Sequence, residues 1–157
     1  INPGSHGGYH HKKMGKEADF GYPSPETLGE IFITPHMIEH GQYYPNMDGQ
    51  FVFKMAIQKF PEVIREALEE QGLQASDIKM LIPHQANLRI SQFVQRQLGL
   101  SDDQVWNNIQ RYGNTTAASV PIALCEAWEA GRIQRGDLIC LAAFGSGFTW
   151  ASALIRW

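Results

Sequence analysis

Two short apolar runs, KMLIP at residues 79–83 and DLICLAAF at 137–144, decide which folds are open to this chain. Each has the length and the branched apolar residues of a strand that is buried in a sheet. Amphipathic helices are predicted beside them, at LRISQFVQRQLG (88–99) and at TTAASVPIALCEAWEAG (115–131). Because helices and strands alternate, we predict an α/β fold with a mixed or parallel sheet that is covered by helices.

Further elements are predicted on both sides of these runs. Apolar residues recur at helical spacing from Gln50 until Gly72, and we expect Pro61 to kink or split that helix. Asn87 is placed to cap the helix that Gly99 ends. The closing FTWASALIRW alternates like a strand with two different faces, VWNNI is strand-like, and EIFIT and PHMIEHG suggest a short strand and a short helix.

The composition changes near residue 50. Residues 1–49 are rich in Gly, Pro, His and Tyr, and we predict a loop-rich connecting segment that contributes to a pocket or an interface. Residues 50–157 are predicted to form one α/β half-domain. Because the chain opens without methionine, in what resembles the middle of a loop, we expect it to be a piece of a longer protein.

Charge and hydropathy exclude several classes of function. The formal net charge is -3, so the chain lacks the basic field that drives binding to a nucleic-acid backbone or an anionic membrane. The longest apolar run, LICLAAF, is about a third of the roughly 20 residues that span a bilayer. Cys125 and Cys140 lie in apolar surroundings without CxxC spacing, which predicts core packing and a reduced compartment. We therefore predict a soluble cytoplasmic protein without nucleic-acid or membrane partners.

A metal site is the first alternative that the sequence raises, because five histidines crowd the first forty residues. No HExxH motif and no cysteine accompany them, and loop histidines are usually solvated, so we expect no metal. Elemental analysis would test this expectation. These histidines are His6, His10, His11, His36 and His40, the last two with i, i+4 spacing.

Polar groups follow the predicted strands at three places. PHQAN follows KMLI, RYGNTTAAS follows VWNNI, and the glycine-rich GSG follows DLICLAAF. His84, Asn114 and Gly145 are 30 and 31 residues apart, so we expect each to end a strand of one sheet and all three to converge on one pocket. Each also has an ordinary structural alternative: a buried, hydrogen-bonded histidine beside helix-capping Gln85 and Asn87, an N-capping asparagine, and a glycine hairpin.

Together, an imidazole, a carboxamide and a loop of backbone amides make a site that is rich in hydrogen-bond donors. Gly145 and Gly147 let the backbone bend so that amides near Ser146 can face an incoming oxygen. Such donors suit the negative charge that develops on the oxygen of a thioester or an ester. What the sequence does not offer near these residues is a nucleophile.

The motifs PHQANLRI, RYGNTTAAS and AAFGSGFTWASALIRW, with GQFVFKMAI before them, resemble the C-terminal half of a thiolase-fold condensing enzyme, β-ketoacyl-[acyl carrier protein] synthase III. The resemblance covers residues 49–157. It implies a thiolase-like half whose His84 and Asn114 hydrogen-bond the thioester carbonyl of a malonyl group during decarboxylation. It also implies an oxyanion-hole donor from the backbone of Ser146, between Gly145 and Gly147, although the family commonly has glycine at residue 146.

The resemblance implies a decarboxylative Claisen condensation of an acyl thioester primer with malonyl-acyl carrier protein, without a cofactor. Both substrates would be carried on coenzyme A or on the phosphopantetheine of acyl carrier protein. The catalytic cysteine would come from an N-terminal half, and the family is typically a homodimer. By the same resemblance Lys54 and Arg89 would bind carrier protein, and the substrate arm would contact Gly49, Phe53, Ala86, Asn87 and Phe144.

Two other functions stay open within the same fold. The enzyme could pass an acyl group to an alcohol or an amine, or condense a different starter, with the same histidine and asparagine. The chain could also belong to a non-catalytic partner subunit whose N-terminal half has lost the cysteine. A cysteine with small neighbours at a helix start in that half would indicate the enzyme, and its replacement would indicate the scaffold.

Overall fold

The computed structural model describes residue 39 and residues 47–157. The predicted strand EIFIT, the predicted helix PHMIEHG except for Glu39, and the five clustered histidines lie outside the described residues. The described elements are the helices and strands of an α/β fold, as predicted, although three helices follow one another between the first two strands and the last two strands are consecutive. They are α1 (Gly49–Glu70), β1 (Met80–Pro83), α2 (Leu88–Leu98), α3 (Ile109–Tyr112), α4 (Ser119–Glu129), β2 (Leu138–Gly145) and β3 (Thr149–Arg156). Short 3-10 turns lie at Ala75–Asp77, Asp102–Gln104 and Thr116–Ala118.

The three strands form a mixed sheet in the order β1-β2-β3. β1 pairs with β2 in parallel and β2 pairs with β3 antiparallel, so the prediction of a mixed sheet is confirmed. All four residues of β1 are buried, in keeping with their unbroken apolar sequence. The strand predicted at VWNNI is wrong: Val105 makes a single parallel bridge to Leu81, because the chain turns into α3 a few residues later.

Helices cover both faces of this sheet. On one face Met80, Ile82 and Ile139 pack with Ala123 and Ala127 of α4 in a buried cluster. On the other face, Ser152 of β3 donates to the Val63 carbonyl of α1 at 2.8 Å. Ser152 pairs with Ala142 of β2, whose side chain points away from the buried cluster. The sheet is therefore a middle layer between α4 and α1.

The helix α1 runs through Pro61 without a break, so the expected split does not occur. A proline inside a helix removes one hydrogen bond and costs about 3 kcal/mol in isolation. Here tertiary packing offsets that cost, since the proline itself is buried in a stripe of residues spaced mostly four apart, Ala56, Phe60, Pro61, Ile64 and Leu68. The prediction from the sequence rested on the lost hydrogen bond, whereas the burial of Pro61 is visible only in the structure.

The two cysteines differ in burial. Cys140 in β2 is fully buried, and burial raises the pKa of its thiol to about 12. Cys125 is exposed on α4, so its assignment to the core is wrong. The buried side of α4 is formed by Ser119, Ala123 and Ala127, and residue 125 lies away from that stripe. The charge of Glu129, whose carboxylate accepts from this thiol at 3.6 Å, raises the pKa of Cys125, which therefore stays a thiol.

Within residue 39 and residues 47–157, no helix combines the length and the apolar character that crossing a membrane requires. Two clefts of about 600 and 480 Å³ lie near the edge of the sheet where β1 and β2 begin. The first lies between Asp77 and Arg132, and the second between Leu73 and Arg156. Neither cleft is lined by His84 or Asn114. His84 follows the opposite end of β1, and Asn114 lies beyond α3.

Candidate active site

His84 is the first residue after β1. Its backbone N–H donates to the Ala142 carbonyl at 2.7 Å, which extends the pairing with β2 by one residue, and its own carbonyl accepts from Ala86 N–H at 2.9 Å. The backbone is thereby fixed on both sides of the ring. The imidazole is half-buried, and this burial lowers its pKa below the usual 6.5. At neutral pH the ring is therefore uncharged and offers one N–H donor.

Asn114 lies in the loop between α3 and the turn Thr116–Ala118, and it does not end a strand as predicted. The similar spacing of the three motifs along the chain therefore does not correspond to three strands. Gly113 has a φ of 67°, in the left-handed region where glycine carries no penalty, and so permits the turn before Asn114. The carbonyl oxygen of the Asn114 side chain accepts from the Thr116 N–H at 2.9 Å, and the side chain is exposed. This bond leaves the carboxamide nitrogen to act as a donor.

A residue that the sequence interpretation treated as a simple cap, Gln85, joins these two parts of the site. It is 3% exposed, and its amide nitrogen donates to the carbonyls of Pro83 at 2.8 Å and Trp106 at 3.3 Å. Its oxygen accepts from the backbone N–H groups of Asn108 at 3.0 Å and Ile109 at 3.1 Å. The end of β1 is therefore tied to the start of α3, the helix that leads to Asn114.

We expect Gln85→Leu to lower the stability of the purified protein by on the order of 3 kcal/mol, because it leaves several buried backbone groups without partners. In thermal unfolding this corresponds to a Tm lower by about 5 °C or more. Gln92→Leu, the same change at an exposed position of α2, is the control and should leave the Tm within about 1 °C. Equal Tm values for the two variants would contradict a structural role for Gln85.

The third predicted group occupies the connection between β2 and β3. Gly145 ends β2, and because β1 and β2 are parallel it lies at the same edge of the sheet as His84. Gly147 has a φ of 142°, which an L-residue rarely adopts, so the predicted need for glycine is met at this position. Ser146 is exposed. Residues 49–145 and 149–157 form one compact unit, to which Ser146–Phe148 do not belong.

The predicted binding residues fall into two groups along the chain. Ala86, Asn87 and Arg89 follow His84 directly, and Asn87 caps α2 as predicted, with its side-chain oxygen accepting from Arg89 N–H at 2.9 Å. Gly49, Phe53 and Lys54 lie in the first turns of α1. Lys54 and Arg89 are both exposed.

Phe144, the remaining predicted contact, is 7% exposed and stacks on Trp150 with ring centroids 6.2 Å apart. It therefore packs within the β2-β3 pair. Among the described residues no group of three or more His, Cys, Asp or Glu side chains is arranged to hold a metal ion.

Comparisons with known proteins agree with this geometry. The β-ketoacyl-[acyl-carrier-protein] synthase III of Roseiflexus sp. (strain RS-1) is 48% identical over 124 residues, which cover 79% of this chain and 38% of that protein. The crystal structure of 3-oxoacyl-[acyl-carrier-protein] synthase III from Aquifex aeolicus VF5 superimposes with a TM-score of 0.71 at 46% identity, covering 73% of this chain and 37% of that one.

A more distant structural relative is the priming β-ketosynthase from the R1128 polyketide biosynthetic pathway. It has a TM-score of 0.67 and 35% identity, covering 70% of this chain and 33% of that one. The chain thus spans about two fifths of the length of the curated relatives that it matches. Residues 68–157 match the family described as 3-oxoacyl-[acyl-carrier-protein (ACP)] synthase III C terminal. The chain therefore belongs to the 3-oxoacyl-[acyl-carrier-protein] synthase III family, whose C-terminal region it contains.

Proposed function

We propose that this chain is the C-terminal half of a condensing enzyme that joins an acyl thioester primer to malonyl-acyl carrier protein. The observation that carries the proposal is the Gln85 bridge. It ties the strand end that presents His84 to the helix that leads to Asn114, so that one buried network supports both donors. Family membership supports the assignment of this network to a condensing reaction.

In the proposed reaction the bond between the malonyl methylene carbon and its carboxylate breaks, and carbon dioxide leaves. The electron pair moves toward the thioester carbonyl, giving an enolate whose oxygen receives hydrogen bonds from His84 and Asn114. A neutral histidine fits this step, since its N–H can donate a hydrogen bond to the enolate oxygen without needing a counter-charge. The carbanion then attacks the acyl thioester on the cysteine of the N-terminal half, and the cysteine thiolate leaves. The backbone N–H of Ser146 would stabilise the oxyanion of this second step.

We propose that the complete enzyme consists of this chain and the N-terminal half that bears the cysteine, and that it works as a cytoplasmic homodimer. No cofactor takes part in the reaction, because both substrates arrive already activated as thioesters of coenzyme A or carrier protein. The test is an assay of the complete enzyme with acetyl and longer acyl thioesters and malonyl carrier protein. The proposal expects a β-ketoacyl product and carbon dioxide in equal amounts. Acyl transfer to an alcohol or an amine, without loss of carbon dioxide, would contradict it.

A second function, priming of polyketide synthesis with another starter, is favoured by the likeness to the R1128 enzyme. The two functions use the same condensation and differ in the acyl group that loads the cysteine. The same assay separates them. A preference for acetyl thioester supports a fatty-acid role, and a preference for longer or branched starters supports the polyketide role.

Recognition of the carrier is proposed to involve Arg89 and Lys54, both exposed. We expect Arg89→Glu to raise the Michaelis constant for malonyl carrier protein about tenfold with little change in kcat, because an acidic partner is then repelled during encounter. The effect should shrink as salt is added. Arg135→Glu is the matched control, since Arg135 is exposed in the connection before β2, near the edge of the sheet opposite His84. An unchanged Michaelis constant for Arg89→Glu would remove this residue from the carrier surface.

A further inference from the structure

Glu126, in the middle of α4, collects donors from the segment that leads to Asn114. Its Oε2 accepts from Asn108 Nδ2 at 2.7 Å, from Arg111 Nη2 at 2.7 Å and from Trp106 Nε1 at 3.4 Å. Its Oε1 accepts from the Tyr112 hydroxyl at 2.7 Å. One carboxylate therefore holds four side chains that come from seven consecutive residues of the chain.

The electrostatics of this contact favour the charged form of the carboxylate. The side chain of Glu126 is 16% exposed, and its burial alone would raise the pKa. Hydrogen bonds from Tyr112, Asn108 and Trp106 and the charge of Arg111 outweigh burial and hold the pKa below its usual value. Glu126 thus stays ionised through the neutral range and continues to accept from all four donors.

The same helix also fixes the chain on the other side of Asn114. Thr115 donates its backbone N–H to the Ser119 hydroxyl at 3.2 Å, and the two hydroxyls lie 3.0 Å apart. Ser119 is the buried first residue of α4. Asn114 is therefore held between Tyr112 and Thr115, and both of these neighbours are attached to α4.

The residue that follows the second attachment, Thr116, has an unusual backbone conformation. Its φ is 51°, a left-handed conformation that a β-branched residue rarely adopts. This conformation accompanies the bond from Thr116 N–H to the Asn114 side chain.

We infer that Glu126 is a positioning residue for the condensing reaction: its carboxylate sets the place of the Asn114 carboxamide by holding the residues just before it. This inference rests on the proposed function. Glu126 itself is directed to the 106–112 segment, so its effect reaches the substrate through Asn114. The step that depends on Asn114 is decarboxylation, whereas loading of the cysteine in the N-terminal half does not involve it.

The test is Glu126→Gln in the complete enzyme. Glutamine keeps the size of the side chain but removes the negative charge that pairs with Arg111 and replaces one oxygen by an NH2 group. That group cannot accept from Asn108, Arg111 and Trp106 and, if it faces Tyr112 instead, no longer accepts the hydrogen bond from its hydroxyl. We expect kcat for malonyl decarboxylation to fall about tenfold or more, because a small displacement of a transition-state donor is costly. The Michaelis constant and the rate at which an acyl thioester loads the cysteine should remain within about twofold. Glu129→Gln is the matched control, since Glu129 lies on the same helix, accepts from Cys125 and acts on Tyr112 only through its charge.

A second variant covers the case in which Glu126→Gln is poorly folded. Tyr112→Phe removes a single donor from an exposed side chain and should reduce decarboxylation about twofold to fivefold with the same selectivity. In an Asn114→Ala background neither substitution should reduce decarboxylation further, since the group that they position is already gone.

The outcomes separate this inference from the proposed function. If Asn114→Ala lowers decarboxylation but Glu126→Gln and Tyr112→Phe do not, the positioning role is wrong and the proposed function stands. Equal losses of decarboxylation and of cysteine loading, together with a lower Tm, would also overturn the positioning role in favour of a purely structural one. If Asn114→Ala itself leaves decarboxylation unchanged, the proposed function fails.

Discussion

His84→Ala is expected to slow malonyl decarboxylation by about a thousandfold while the cysteine of the complete enzyme is still acylated. The loss follows because the substitution removes one of the two donors that are proposed to stabilise the enolate oxygen, and loss of such a donor is costly. Acylation should survive because, in the proposed mechanism, it takes place on the cysteine of the N-terminal half with an oxyanion hole built from backbone groups. The backbone at residue 84 should not move, since its bonds to Ala142 and Ala86 do not involve the ring.

The measurement is the release of labelled carbon dioxide from malonyl carrier protein, with mass spectrometry of the acylated enzyme alongside. His84→Asn is the informative companion, because it keeps an N–H donor near the same place and should retain more activity than alanine. An alanine variant that decarboxylates at the wild-type rate would show that the ring has no part in the step.

Asn114→Ala is expected to have a similar effect, a loss of decarboxylation of about a hundredfold to a thousandfold. Asn114→Asp is the sharper substitution, because it keeps the shape and the oxygen that accepts from Thr116 N–H but removes the donor. If the exposed asparagine were only a turn residue, the aspartate variant would be fully active. If the carboxamide nitrogen is the working group, aspartate should be at least as damaging as alanine.

Combining the two substitutions shows whether both donors serve one oxygen. Residues that act as a unit are strongly non-additive, so the double variant His84→Ala, Asn114→Ala should lose much less than the product of the single losses. Fully multiplicative losses would indicate that the two side chains act in separate steps.

Much of the fold is predictable from the sequence because it depends on local periodicity. The strand predicted at KMLIP spans Met80–Pro83. The helix predicted at LRISQFVQRQLG spans Leu88–Leu98, with Asn87 as its cap and Gly99 at its end, as expected. The errors arose where tertiary packing outweighs local preference. Pro61 stays inside α1 because it lies in the buried stripe, and Val105 pairs with one residue of β1 instead of forming a strand.

The site was predicted less completely, since its supports are long-range. The presence of His84 and Asn114 at loop positions was visible in the sequence, and their catalytic roles stay predictions. The contacts of Gln85 reach residues up to 24 positions away, and those of Glu126 reach 14 to 20 positions back along the chain. No pattern of neighbouring residues in the sequence indicates such long-range contacts. A glutamine two residues after a fully apolar strand was the one local signal, because a buried amide needs partners.

The most direct test of this account is a crystal structure of the complete enzyme with a non-reactive malonyl thioester analogue. The account predicts that one nitrogen of His84 and the carboxamide nitrogen of Asn114 both lie within about 3.2 Å of the thioester carbonyl oxygen. A complex in which either nitrogen binds a different atom of the substrate, or points away from it, would contradict the shared stabilisation of one enolate.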